Sequence, residues 1–274
     1  MPEIPDLEAI RAFLSPRIGG VEITQAEALI PYIIRTPRAD FEATLTGNRF
    51  EQITRRGKFL LFGLADDHVL VINPMLTGRF QYVRPSDKKL AKTCMAITFE
   101  DGWQLRYSDQ LLMGKIYVVP EDGLISVPMF ADLGPDALAV SEEEFRGRIR
   151  KHRGAIKNVL TNQKFIAGIG NAYSDEILFE ARIAPFRKRT DIDDDGIGGL
   201  FAAIHKVMDR SIPIVTAKFS EGLDYTEWRE HLKVHRKGAA TRSRDEGRCP
   251  RCGTHLTEIS PNQRVTTWCR TCQR

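Results

Sequence analysis

The stretch Gln163-Lys-Phe-Ile-Ala-Gly168-Ile-Gly170-Asn171-Ala-Tyr-Ser-Asp-Glu-Ile177-Leu178-Phe-Glu-Ala181-Arg-Ile-Ala-Pro185 reads as a turn feeding a helix. Gly168 and Gly170 supply backbone able to take a positive φ or to approach a ligand closely. Asn171 is placed to cap the helix after the turn, Ile177, Leu178 and Ala181 give it one apolar face, and Pro185 stops the run. Upstream, the spacing of Ile156, Val159 and Leu160 predicts a second helix, so the whole is helix, glycine turn, helix. Amides at such a turn, just ahead of a helix N-terminus, form an anion site. The basic run before it (Arg146, Arg148, Arg150, Lys151, Arg153, Lys157) points to nucleic-acid phosphate as the anion. A glycine turn between two core helices is the commoner alternative, and the ends of the chain decide between them.

The 274 residues suffice for one large or two medium domains, and 42% apolar with 28% charged residues is ordinary for a globular protein. No apolar run approaches a membrane span, and the N-terminus has neither the basic nor the apolar region of a signal peptide. Charge is uneven: residues 141–274 carry 25 Lys and Arg against 18 Asp and Glu, whereas residues 1–140 carry 15 against 18. A basic second half points to a polyanion partner there, with solvated helix faces as the alternative.

In the opening Met1-Pro2-Glu3-Ile-Pro5-Asp6-Leu7, Pro5 and the clustered acids suit a first helical turn. Leu7, Ile10 and Leu14 give a stripe, and Ser15-Pro16 is expected to end the helix. From Val21 to about Val119 the pattern is of short strands, with Asp101-Gly102 read as a type I′ hairpin turn, which predicts a β-sandwich or barrel. A Pro- and Gly-bearing stretch from Val127 to Leu138 marks a linker. The expected organisation is a sandwich domain at 1–130, a linker at 131–140, a helical domain at 141–235, and a basic segment leading to a finger at 236–274. Residues 236–248 are expected to be mobile.

Cys249-Pro-Arg-Cys252 and Cys269-Arg-Thr-Cys272 are two thiolate pairs sixteen residues apart. At that spacing they close a tetrahedral Zn²⁺ site with the intervening chain folded as a β-hairpin, and four cysteine ligands make the metal structural. Arg264 falls near the hairpin tip. At the other end, removal of Met1 before the small Pro2 would leave a secondary amine, a fraction of which is unprotonated at neutral pH. Such an amine attacking a sugar C1′ gives a cationic iminium that acidifies the C2′ proton, and Glu3 could move protons beside it.

Together these parts resemble the formamidopyrimidine-DNA glycosylase / endonuclease VIII family of base-excision repair enzymes. The likeness runs through Met1-Pro-Glu-Ile-Pro-Asp-Leu-Glu8, Arg55-Arg-Gly-Lys-Phe-Leu60, Leu133-Gly-Pro-Asp-Ala-Leu138, Ile156-Lys157, the Gln163 to Leu178 block and the four-cysteine finger. It implies an α+β fold: an N-terminal helix plus two-layered β-sandwich, then a helical domain with a helix–two-turn–helix and a zinc-finger hairpin, with DNA in the cleft between the domains. It also implies a bifunctional DNA glycosylase and AP lyase holding one structural Zn²⁺. Such an enzyme acts as a monomer on double-stranded DNA containing a damaged base or abasic site, in the cytoplasm and with no membrane partner.

By the same resemblance, Pro2 is the Schiff-base nucleophile and Glu3 assists proton transfer. Lys58, on a strand, serves the lesion phosphate and the β-elimination, and Arg264 grips phosphate and supports δ-elimination. Lys157, Asn171 and Arg153 hold phosphates near the lesion. The flipped nucleotide leaves a void for apolar wedges, with Leu76 or Met75 as candidates. The purine-specific branch carries an Asp-Pro-Arg-Arg-Phe-Gly loop; here Asp109-Gln-Leu-Leu-Met-Gly114 lacks both arginines, so neutral Leu111 or Leu112 would face the opposite base. Lys92 and Cys94 stand where that branch has histidines, Asp6 stands where the family often has Glu, and Pro213 to Tyr225 is short for a loop capping 8-oxoguanine. The expectation is lyase chemistry with a lean toward oxidised pyrimidines, ring-opened purines or abasic sites. The competing reading is a catalytically silent lesion-DNA-binding protein of the same fold, which has no need of a free N-terminal proline. A zinc-ribbon RNA or transcription factor leaves the N-terminus and sandwich unexplained.

Overall fold

A computed structural model describes residues 1–223, 229–235, 247–260 and 264–274. Two compact units emerge, Met1–Asp132 with Ile212–Trp228, and Leu133–Ser211 with Arg229–Arg274. No helix among the described residues is long and apolar enough to cross a membrane.

The first unit opens on helix α1 (Ile4–Ile18), which buries Leu7, Ile10, Phe13, Leu14 and Ile18. Pro16 does not end it: the ring sits in the last turn, where the carbonyl it strands, that of Ala12, lies on the exposed side. After β1 (Ile23–Ala28) comes a short helix the strand pattern conceals, α2 (Arg38–Leu45), which buries Phe41 and Leu45 one turn apart. The remaining strands are β2 (Phe50–Arg56), β3 (Phe59–Leu64), β4 (His68–Asn73), β5 (Gly78–Val83), β6 (Thr93–Phe99), β7 (Gln104–Asp109) and β8 (Lys115–Pro120). They form two antiparallel four-stranded sheets, β1-β6-β7-β5 and β2-β3-β4-β8. Side chains alternate across β3: Leu60, Phe62 and Leu64 enter the central core, while Phe59 on the other face meets Phe130 edge-on at 5.4 Å. Val215, Phe219 and Leu223 complete that core from far along the chain.

Two turns differ from expectation. Only Gly102 has a positive φ (77°) in the β6–β7 hairpin, and its N–H closes on Phe99 O at 2.9 Å. That is a type I turn with a left-handed third residue, since Asp101 does not take the second positive φ that type I′ needs. Lys58 lies in the two-residue turn between β2 and β3 rather than on a strand, because Gly57 (φ 58°) reverses the chain and Arg56 pairs with Phe59.

The second unit begins at α3 (Glu142–Ile149), capped by Ser141, whose hydroxyl accepts from Glu144 N, with three glutamates in the first turn. Helices α4 (Ile156–Leu160) and α5 (Asn171–Glu180) flank the glycine turn. Gly168 has φ 105°, whereas Gly170 is extended and is itself the N-cap. Asn171 is the first helical residue and does not cap; its side chain turns outward to another partner. The long α6 (Asp194–Phe219) continues through Pro213, so residues 213–219 are helix rather than the expected loop, and residues 224 and 225 lie outside the described ones. The finger is the antiparallel pair β9 (Thr257–Ile259) and β10 (Thr266–Trp268). Residues 236–246 of the segment expected to be mobile lie outside the described residues, while Arg248 bridges to His255.

Candidate functional site

At the N-terminus Pro2 is buried and Glu3 only 2% exposed. Glu3 is the N-cap of α1 and closes a reciprocal capping box with Asp6: the Glu3 amide donates to Asp6 Oδ2 at 2.8 Å. The shorter carboxylate therefore reaches. Lys58 Nζ stands 3.3 Å from Met1 Sδ, which puts its ammonium at the chain start. Arg55, 3% exposed, holds that turn in place. Its Nε donates to Glu8 Oε1 at 2.7 Å and its Nη1 to Gly57 O at 2.8 Å, while Glu8 also takes Arg11 Nε at 2.8 Å. Sequence reading passes over Glu8, whose role depends on a β2 residue 47 positions away. Pro2, the buried Glu3 carboxylate and the Lys58 ammonium thus share one end of the sandwich unit.

On the same unit, the loops 73–78 and 109–114 are tied by Asp109, which is fully buried. It accepts from the Thr77 hydroxyl, from Leu111 N at 3.2 Å and from Gly114 N at 2.5 Å. Leu111 N also reaches Thr77 Oγ1 at 3.0 Å, and Lys92 Nζ donates to Gln110 O at 2.5 Å. Gly78 and Gly114 are required here, because a Cβ would stand 2.2 Å and 2.3 Å from the Tyr107 hydroxyl. Met75 (φ 48°) and Leu112 (φ 53°) take left-handed backbone. Of the two leucines expected to face the opposite base, Leu112 packs partly buried against the sandwich core, while Leu111 (56%), like Leu76 (39%) and Met113 (38%), is exposed. Cys94 is buried with its thiol pushed up to about 11 by burial, and its Sγ sits 3.0 Å from Lys92 O.

In the second unit, Lys157, Asn158, Asn171, Phe186, Arg264 and Thr266 line one cavity. Arg264 is exposed at its rim; Arg153 is exposed in the turn before α4 and is not part of the lining. Lys157 Nζ donates to Asp175 Oδ1 at 2.6 Å, Thr266 Oγ1 at 2.8 Å and Val265 O at 3.3 Å. Asn171 Nδ2 donates to the same Val265 carbonyl at 2.7 Å. Beside them, Glu176 accepts the amides of Lys233, Val234 and His235 at 2.7–2.9 Å. Nothing in the sequence singles out Asp175 or Glu176, since their partners lie 18 to 92 positions away.

The four cysteine sulfurs lie within 4.8 Å of one another, with Cys249–Cys272 at 3.8 Å and Cys252–Cys269 at 3.5 Å. A tetrahedron with Zn–S bonds of about 2.3 Å has edges of about 3.8 Å, so the donor set fits one structural Zn²⁺. Thr254 donors bring Cys252 down to about 6, while burial, and then the neighbouring sulfurs, push Cys272 up to about 12. Phe179, Val234 and Leu256 pack around Cys249 and Cys269, and Gln273 links Cys269 N (2.8 Å) to Ile183 O (2.9 Å).

A β-sandwich headed by an N-terminal amine, followed in one chain by a glycine-turn helix pair and a zinc finger, is the architecture of a base-excision DNA glycosylase. Family models match in the same order: the formamidopyrimidine-DNA glycosylase N-terminal domain over residues 1–116, its H2TH domain over 133–220, and the zinc finger found in FPG and IleRS over 247–274. Formamidopyrimidine-DNA glycosylases of Pelotomaculum thermopropionicum and Desulforamulus reducens are 32% and 34% identical over all of this chain and 99% of their own. The Lactococcus lactis Fpg solved with DNA containing an abasic site is 27% identical and covers both chains fully at a TM-score of 0.88. The chain belongs to the formamidopyrimidine-DNA glycosylase family, and its activity is that of a base-excision repair DNA glycosylase with AP lyase activity.

Proposed function

We propose that this enzyme removes oxidised or ring-opened bases through a Schiff base to Pro2 and then cleaves the strand by β,δ-elimination. Once Met1 is gone, the Pro2 nitrogen attacks C1′ and the base departs with the bonding pair; the Pro2 N–H proton is then lost and the C1′–O4′ bond breaks with a proton delivered to O4′, Glu3 managing the transfers. The resulting iminium acidifies C2′–H; loss of that proton expels the 3′ phosphate, with Lys58 as the nearby acid, and a second elimination expels the 5′ phosphate with support from Arg264. Lys157, Asn171 and Arg153 hold flanking phosphates, Leu76 enters the void left by the flipped nucleotide, and Leu111, more exposed than Leu112, faces the opposite base. The observation that carries the reading is the approach of Lys58 to the chain start beside a buried Glu3. Further support comes from the Lactococcus lactis structures, whose DNA contains an abasic site or Fapy-dG.

Neutral leucines in place of arginines favour oxidised pyrimidines, ring-opened purines or abasic sites over 8-oxoguanine opposite cytosine, because they offer cytosine no charged contact. The enzyme works as a monomer in the cytoplasm. Borohydride trapping on an abasic-site duplex is expected to give an adduct that disappears in Pro2→Gly and in protein still carrying Met1. A panel of 8-oxoguanine, formamidopyrimidine, thymine glycol and dihydrouracil opposite each base then ranks the lesions. Binding to lesion DNA with no trapping on any substrate would replace this reading with that of a silent binding protein.

A further inference from the structure

Asp175 is buried behind a cavity whose lining is cationic and polar. Its two oxygens gather three parts of the chain. Oδ1 accepts from Lys157 Nζ of α4 at 2.6 Å; Oδ2 accepts from His235 Nδ1 at 2.7 Å and from Thr267 N of β10 at 2.9 Å. Thr266, the residue before Thr267, supplies Lys157 with its second side-chain acceptor, at 2.8 Å. A buried ion pair is weak evidence of a stability role, because apolar residues of equal volume often do as well. What a shared carboxylate does provide is direction. An unrestrained lysine keeps rotamer entropy that it must surrender on gripping a phosphate. Here Nζ is already fixed against the cavity, and the strand that leads in from Arg264 is fastened to the same carboxylate.

We propose that Asp175 is a positioning residue for DNA binding: it orients the Lys157 ammonium and registers β10 of the zinc finger, so that the phosphate cavity is assembled before DNA arrives. This rests on the reading of Lys157 as a phosphate ligand. The dependence runs through the metal as well, since Thr267 stands two residues before the zinc ligand Cys269. An intact finger hairpin is what brings Thr266 and Thr267 to the carboxylate and the lysine.

The test is anisotropy titration of a duplex bearing a tetrahydrofuran abasic analogue at several salt concentrations. The proteins are zinc-loaded wild type, Lys157→Ala, Asp175→Asn and the double variant, each with its zinc content measured. Asp175→Asn is expected to bind about tenfold more weakly and to lower the log–log salt slope by about 0.9, one phosphate contact, as Lys157→Ala does. The double variant is expected to lose no more than about twofold beyond either single one, the mark of two groups acting as a unit. Single-turnover cleavage by Asp175→Asn at saturating DNA should fall less than its affinity, since the loss is in binding. If Lys157→Ala loses slope and Asp175→Asn does not, the positioning role is overturned and the phosphate reading stands. If Lys157→Ala itself loses no slope, the phosphate reading falls. Should Asp175→Asn shed zinc, Thr266→Val takes its place, because it keeps the carboxylate and strand but removes an acceptor of Nζ. Wild-type affinity and slope in that variant would overturn the proposal.

Discussion

Tyr107 shows how a single atom can be held for its neighbours' sake. Its hydroxyl is buried with no hydrogen-bond partner among the described residues, between two glycines that cannot tolerate a Cβ. Burial pushes its ionisation upward, and Asp109 adds to that. Gly78→Ala should cost about 1–3 kcal/mol by overpacking, and Tyr107→Phe in the same chain should restore only part of it, because Pro74 O and Cβ stand 2.6 Å and 2.7 Å from the added Cβ. Tyr107→Phe alone should be neutral or stabilising, because an unpaired buried hydroxyl has lost its hydration with nothing in return; urea denaturation of the four proteins checks both. His231, whose Nε2 meets the Tyr173 hydroxyl at 3.1 Å, is lowered from 6.5 to about 4 by burial and then by Arg229 and Arg210. Between those values the unfolded chain binds a proton that the folded chain does not. Stability therefore falls as pH drops from about 6.5 to about 4, by up to about 1.4 kcal/mol per unit. His231→Gln should flatten that part of the melting-temperature profile.

Elements are legible in the sequence where one local rule governs them. The Gly168 turn, the helices beside it and the cysteine pairs rest on glycine freedom, 3.6-residue spacing and metal geometry, and all three are short-range. Pro16 and α2 defeat a local reading because the burial that decides them comes from tertiary neighbours. Leu112 looks as fit as Leu111 to face the opposite base because a loop's period is not fixed until a left-handed residue turns one side chain inward and leaves the next outside. Asp109 and Asp175 are invisible for a different reason: a carboxylate that ties distant segments has no sequence spacing. At this scale, Asp109→Ala should loosen both loops and lower stability by about 2–4 kcal/mol, since three donors lose one acceptor. Proteolysis between residues 73 and 78 or 109 and 114 should then become fast. Zinc removal should abolish lesion-DNA binding while leaving the sandwich folded, because β9 and β10 are three residues each and their packing is built on the cysteines. Chelation with metal readout, followed by circular dichroism and DNA titration, checks this.

At the scale of the whole molecule, charge and composition indicate a two-part chain with a basic second half, but not that the first part is discontinuous. Val215, Phe219 and Leu223 belong to the sandwich core although they come at and just past the end of α6, beyond Leu133–Ser211 of the second unit. A fragment ending at residue 132 should therefore fail to show a cooperative unfolding transition. Phe219→Ala in the full chain should cost the sandwich unit about 3–5 kcal/mol. Calorimetry on both proteins tests this, and a fragment that melts cooperatively on its own would refute it.

That late-arriving apolar stripe also sets an order of events during translation. The amino-terminal strands leave the ribosome first, yet the part that seals their core is made about eighty residues later than Asp132. At about 5–20 residues per second, the strands wait several seconds with an unsealed apolar surface and unpaired edges. The first unit to begin thus cannot close until Leu133–Ser211 of the second has also been made. Nascent chains stalled short of residue 212 should be the ones that chaperones hold.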